Sequence, residues 1–283
     1  MSHFTVLVIG DNVEEQLQPF HEYECTGHED KYVVFVPGEK STEEYQKEYD
    51  EQDKSDYPTF EEYMSDYHGY HEENGVWGRK TNPNAKWDWW EIGGRWTGYF
   101  KLKPGKTGTL GRPGVFGNQP EKGHVDSILK GDLDIDGMRD DAGKNAGELW
   151  DLVETHLGHL PKVESWESIR NRIPDINEAR DFNNSQPRIL AVNSNKLLQD
   201  KLGWFPELDR FNVTREDYVI KARNRAISSF AVLKDSTWVE KGQMGWWAVV
   251  TNEMDQDEWD NKFNQMIDEL PDETLLTIVD CHI

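Results

Sequence analysis

Between Trp77 and Lys103 the chain interleaves rings with cations: Trp77, Arg79, Lys80, Lys86, Trp87, Trp89, Trp90, Arg95, Trp96, Tyr99, Lys101 and Lys103. Rings stack on bases or sugar faces while guanidinium and ammonium groups meet phosphates, so this mixture suits a nucleotide-like ligand. In an extended chain, alternation puts Trp87 and Trp89 on one side and Asp88 and Trp90 on the other, so one Trp stays outside the core. Two competing readings use the same rings to fill a core short of Leu and Val, or to make a protein-contact patch. Trp246 and Trp247 pose the same question on a later strand.

Carboxylates and histidines are the next candidates. Asp132-Leu133-Asp134-Ile135-Asp136-Gly137 opens like a calcium loop, but its twelfth place is Gly143 where a bidentate Glu is needed, and its eighth is Arg139. A turn between helices is the simpler reading, with a magnesium site from Asp136, Asp140 and Asp141 as the weaker alternative. His68 and His71 flank Gly69, which weakens the helix that would make them joint ligands, and His156 and His159 straddle Gly158 at a helix end. In Asp280-Cys281-His282 the thiol and the imidazole are adjacent on a strand and point apart, whereas Asp280 and His282 share a face. Gly105-Lys106-Thr107-Gly108 is not a phosphate-binding loop, because Phe100 stands where its first glycine belongs. No cofactor is expected from these patterns.

Those residues sit in a chain of 283 with 54 acidic and 31 basic side chains, a net charge of −23. A surface so acidic repels phosphate backbones, which argues against indiscriminate duplex binding. The charge is uneven: Glu39 to Glu73 carries thirteen acidic and three basic residues, net −10, and Trp77 to Arg112 carries eight basic and two acidic, net +6. Apolar runs such as Phe4 to Ile9 fall far short of the roughly 20 residues that span a bilayer, and no secretory signal is recognisable. With two cysteines, Cys25 and Cys281, there is no disulfide framework. A cytoplasmic protein that avoids membranes is expected, with homo-oligomerisation left open.

The elements that must position these groups follow from periodicity. Phe4 to Ile9 and Thr274 to Val279 read as buried strands, and both are expected in one central sheet. Asn12 or Asp11 is expected to cap a short helix through Leu17, and Tyr32 to Val36 to form a second strand. Ser41 and Thr59 start two acidic helices whose Tyr45 and Tyr49, and Phe60, Tyr63 and Tyr67, line one face; this is a helical arm over 39–73. Trp87 to Leu102 reads as a hairpin turning at Gly93-Gly94. A flexible loop is expected over 103–123, then helices at Ser127 to Leu133 and Met138 to Leu157, and irregular helical pieces from Pro161 to Pro206. Ser229 to Leu233 and Thr237 to Glu240 form a hairpin, Gly245 to Thr251 a strand, and Asp257 to Leu270 an amphipathic helix. The expected fold is one α+β domain over 1–283, a mixed or antiparallel sheet with helices on one side.

Three stretches carry a resemblance: Met1-Ser2-His3-Phe4-Thr5-Val6-Leu7-Val8-Ile9-Gly10, Trp87-Asp88-Trp89-Trp90-Glu91-Ile92-Gly93-Gly94-Arg95-Trp96 and Val279-Asp280-Cys281-His282-Ile283. With them the chain resembles a family of bacteriophage and prophage proteins. The resemblance covers most of the chain, least of all the acidic arm and Pro161 to Arg225, and it transfers no catalytic residues. It implies a phage origin and action in the cytoplasm of a bacterial host. Together with the ligand-binding set Trp77, Arg79, Lys86, Trp87, Trp89, Trp90, Arg95, Trp96, Lys101 and Lys103, it leads to the expectation of a non-enzymatic counter-defence protein that sequesters a nucleotide-derived signal. The alternatives are an acidic inhibitor that imitates nucleic acid toward a host defence enzyme, and a magnesium-dependent hydrolase.

Overall fold

The computed structural model describes residues 2–114, 119–203, 206–245 and 249–283; the tryptophans at 246 and 247 lie outside them. The chain begins with β1 (His3–Ile9), whose residues from Phe4 to Ile9 are buried on both faces, as its unbroken apolar run requires. The helix α1 (Val13–Leu17) follows, but Asn12 enters it in the left-handed region at φ 59° and its side chain caps nothing. The turn is instead tied by Gln16, whose Nε2 donates to the carbonyls of Ile9 and Asp11.

After α2 (Tyr23–Thr26) and β2 (Val34–Pro37) come the acidic helices α3 (Thr42–Asp50) and α4 (Phe60–Glu62), the latter running into a π-type turn over Tyr63–Tyr67. Both helices start where expected, at Ser41 and Thr59, and each start is a reciprocal capping box, Ser41 with Glu44 and Thr59 with Glu62. The strands β3 (His71–Glu73) and β4 (Val76–Thr81) join β2 in a small antiparallel sheet of order β2-β4-β3. Tyr45, Tyr49, Tyr63 and Met64 form a core of their own, with Phe60, Tyr70 and Trp77 packed on it.

The strand β5 (Trp89–Gly94) does not turn back on β6 (Phe100–Lys101), so the expected hairpin is absent. Gly93 and Gly94 do take positive φ, 79° and 54°, but they swing the chain around buried carboxylates rather than between paired strands. Within 103–123 the chain is tied back at Thr109, which bridges Ser127, and at β7 (Arg112–Pro113), which pairs in parallel with β5. The strand β6 pairs with β8 (His124–Val125). The segment expected to start a helix at Ser127 is instead β9 (Ser127–Leu129), paired with the last strand. Its alternation, with Ile128 buried and Leu129 exposed, is the period of a strand.

The long helix α5 (Ile135–Leu157) is capped by Asp134, which accepts from the Gly137 amide, so the Asp132 to Gly137 motif is a helix start. Then come α6 (Trp166–Arg172), α7 (Ile176–Ser185), α8 (Pro187–Asn193) and α9 (Lys196–Leu202); α8 and α9 gather with α5 around Val153, Leu157, Val192, Leu198 and Phe211, while α6 packs on α7 and α7 on α8. The helix α10 (Arg215–Arg225) lies along α5. The expected hairpin is formed by β10 (Ala231–Lys234) and β11 (Thr237–Glu240), and β12 (Gln243–Met244) pairs with β13 (Val250–Thr251). The amphipathic helix α11 (Gln256–Asp268) and β14 (Leu275–His282) complete the chain.

The fold is α+β, with the first and last strands side by side in a mixed sheet of order β11-β10-β1-β14-β5-β7. β1 runs antiparallel to β14 along its whole length and parallel to β10. The other edge of β14 is shared end to end by β9, opposite Leu275 to Thr277, and β5, opposite Val279 to His282. One sheet face, with Leu7, Ile9, Leu276 and Ile278, packs on Trp259, Phe263 and Ile267 of α11. The other, with Phe4, Val6, Val8, Val279 and Cys281, packs on Leu17 and Phe20 and on the rings of Trp87, Trp90 and Trp238.

Candidate functional site

Apart from Thr277, the two central strands are apolar except toward one end, where polar residues recur at alternate positions: His3 and Thr5 on β1, Asp280 and His282 on β14. Alternation aims all four to one face, and the antiparallel register sets His3 directly opposite His282 and Thr5 opposite Asp280. Ser2 and Ile283 exchange both of their backbone hydrogen bonds at 3.0 Å, which holds this end of the strand pair closed. The two imidazole rings therefore meet edge to face, with centroids 4.9 Å apart.

Each ring is bound to a carboxylate. His3 Nδ1 lies 2.8 Å from Asp280 Oδ1, and the second oxygen of Asp280 accepts the Arg95 backbone N–H at 2.9 Å. Asp280 is fully buried, and the positive φ of Gly94 brings its backbone against that side chain, a fit only glycine allows. His282 Nδ1 lies 2.5 Å from Asp88 Oδ1, while the Asp88 amide donates to the His282 carbonyl at 2.9 Å. An ionised carboxylate only accepts, so both rings donate from Nδ1. Neither Nε2 bonds to a described residue, and the side chains of His3 and His282 keep 17% and 13% of their surface exposed.

Trp89 closes the group. It pairs with His282 in register, its ring stands 6.0 Å from that of His3, and it is 44% exposed. Cys281, between Asp280 and His282, points to the opposite face and is fully buried; desolvation, with the neighbouring Asp280 charge, pushes its thiol well above the usual range. It supplies no nucleophile here.

The residues expected to bind a ligand are dispersed. Trp77 packs in the tyrosine core and Arg79 faces Glu24 on the small sheet. Lys86 is paired with Glu240 at 2.7 Å. Trp87 and Trp90 both pack in the second face of the central sheet, and Trp87 Nε1 donates to the Leu17 carbonyl. The expected alternation fails because the chain bends at Asp88, and that bend carries Asp88 to the side of Trp89 and His282. Trp96 is half-buried just beyond the Gly93-Gly94 turn. Lys101 pairs with Asp141, and Lys103 donates to the Gly131 carbonyl. Of the ten, Trp89 packs on His3 and Arg95 donates its backbone N–H to Asp280, the carboxylate that holds His3.

The three carboxylates proposed for magnesium are not gathered either. Asp140 is held by Arg223 and Asp141 by Lys101, which also pulls its carboxyl below the usual range through their hydrogen bond. Among the described residues the group close enough to hold a cation is Glu22, Cys25 and Asp88. There burial first, and then Glu22, push the Cys25 thiol up to about 11, which keeps it protonated and a poor ligand.

Sequence reasoning passed over His3 and gave Asp88 no role. The signal was present: His3 and Thr5, like Asp280 and His282, interrupt otherwise apolar strands at a spacing of two. No protein-family model, curated protein or solved structure matches the chain. Among the described residues, no helix is long and apolar enough to cross a membrane.

Proposed function

We propose that the chain binds a small nucleotide-type phosphate ligand at the His3–His282 cluster. The observation that carries the reading is the pair of imidazoles in contact, each with Nε2 unbonded among the described residues, beside an exposed Trp89. A base stacks on the indole while the ring nitrogens meet phosphate oxygens. The net charge of −23 favours a short ligand over a long polyanion. The resemblance to phage proteins adds the setting: a phage product that withdraws a nucleotide-derived signal in the cytoplasm of a bacterial host. The test incubates the purified full chain with an extract of phage-infected bacteria and analyses what heat releases. A phosphate-bearing, base-containing small molecule, retained by the native chain and lost in Trp89→Ala, is expected. Its absence from the native chain would overturn the reading.

One observation favours a second reading. The acidic helices rest on a tyrosine core and direct Glu43, Glu44, Glu51 and Glu61 outward, so the arm presents a negative face of defined shape. Such a face suits an inhibitor that imitates nucleic acid toward a host enzyme. Salt-sensitive capture of a host protein that persists in Trp89→Ala but fails once these four glutamates are changed to Gln would favour it.

A further inference from the structure

We propose that the two His–Asp pairs are an acid–base couple that cleaves a ribonucleotide phosphodiester without a metal; this rests on the ligand class inferred above and goes beyond capture. The argument starts from charge. An anion trap needs uncompensated positive charge, but with both imidazoles protonated their two charges are cancelled by the carboxylates of Asp88 and Asp280. As an electrostatic trap the cluster is neutral at best. As a proton relay it is well made: a carboxylate on Nδ1 fixes the tautomer and the ring orientation, and aims Nε2 at the reacting group in both protonation states.

Two such rings in contact supply what phosphodiester cleavage needs and a single ring cannot, a base for the attacking oxygen and an acid for the leaving one. The strand register presets their spacing, because His3 and His282 stand opposite each other on the two central strands. Neither neighbouring side chain supplies the nucleophile, since Cys281 faces away and is protonated and the Thr5 hydroxyl accepts the Phe230 amide, and the proposal takes it from the ligand itself. A ribose 2′-hydroxyl beside a 3′-phosphodiester is such a nucleophile, and its intramolecular position removes the need for a metal to assemble the reactants.

The step balances within the ligand and the two rings. The neutral imidazole takes the 2′-hydroxyl proton on its Nε2 as the 2′-oxygen bonds to phosphorus. The bond from phosphorus to the 5′-oxygen breaks, and the protonated imidazole gives its Nε2 proton to that oxygen. The products are a 2′,3′-cyclic phosphate and a free 5′-hydroxyl. The rings end with their protonation exchanged, and solvent restores the starting state.

The test uses the full chain in excess EDTA with two probes, the diadenosine monophosphate ApA and its 2′-deoxy counterpart dApdA, which lacks the nucleophile. The native protein is expected to convert ApA to adenosine 2′,3′-cyclic phosphate and adenosine, and to bind dApdA without altering it. His3→Ala and His282→Ala are each expected to slow ApA cleavage at saturating ApA at least a hundredfold, a loss far larger than any weakening of dApdA binding. The native pH–rate profile is expected to be bell-shaped. Binding of dApdA that is weakened by Trp89→Ala, together with intact ApA, would overturn catalysis and leave the ligand reading standing. Failure to bind either probe would overturn both. Cleavage of ApA that survives both histidine substitutions would assign it to other residues and also overturn the proposal.

Discussion

Replacing Gly94 by alanine tests whether the turn after β5 exists to seat Asp280. At φ +54° an alanine pays roughly 1 kcal/mol for the left-handed backbone. Its Cβ would also lie 2.8 Å from Asp280 Cγ, and closer to Cβ and Oδ2, inside a site with no exposed surface. The carboxylate must then shift, which weakens its bonds to His3 Nδ1 and the Arg95 amide; a bond to a charged group contributes about 1.5–3 kcal/mol. The expected loss is about 3–4 kcal/mol, a large share of the roughly 5–15 kcal/mol available to a folded protein. Gly105→Ala is the control, because Gly105 has φ +77° but nothing within 4 Å of the added carbon. It bears the backbone cost alone, and the entropy lost by the unfolded chain is the same for both variants. Urea denaturation followed by tryptophan fluorescence should separate the two by about 2–3 kcal/mol, and the His3 Nδ1 proton resonance should move in Gly94→Ala only. Equal stabilities, or an unmoved His3 signal, would refute the view that glycine is required to pin this carboxylate.

Asp88→Asn removes the negative charge beside His282 and leaves a neutral amide to hold its Nδ1, so ApA cleavage should fall about tenfold to a hundredfold with a displaced limb in the pH–rate profile while dApdA binding persists; an unchanged profile would deny Asp88 a positioning role. Trp87→Ala and Trp90→Ala should each cost about 3 kcal/mol or more in denaturation because both rings pack in the core, whereas Trp89→Ala should cost under about 1 kcal/mol and weaken dApdA about tenfold. Ser41→Ala and Thr59→Ala should each lower stability by about 1 kcal/mol, with hydrogen exchange increasing within the acidic arm. Burial holds the His68 imidazole below its ordinary value of 6.5, so the folded state binds fewer protons than the unfolded one. The stability it lends is therefore complete above that value and is lost as pH falls below it, down through the folded-state value. His68→Gln should flatten this part of the stability curve between neutral and mildly acid pH.

Where local pattern decides, the sequence was sufficient. The apolar runs of β1 and β14, the capping boxes at Ser41 and Thr59, the β10–β11 hairpin and the stripe of α11 follow from neighbours within a few residues. Alternation alone separated Cys281 from His282 and put Asp280 with the latter. Beyond that hairpin and the sharing of one sheet by the first and last strands, pairing could not be read this way, because a strand's partner is chosen by surface that lies far off in sequence. Gly93-Gly94 has the chemistry of a hairpin turn, yet β5 pairs with β14, and the glycines instead make room for the Asp126 and Asp280 side chains. Ser127 to Leu129 looked helical until the edge of β14 drew it into the sheet. The candidate site depends on the same long-range choices. His3 and His282 are 279 positions apart and meet only through the register of the first and last strands, and Asp88 reaches His282 only because the chain bends before β5. Residue types along the chain supplied the acids, bases and rings; burial of the two central strands, which makes one register far cheaper than a one-residue slip, decided which of them touch.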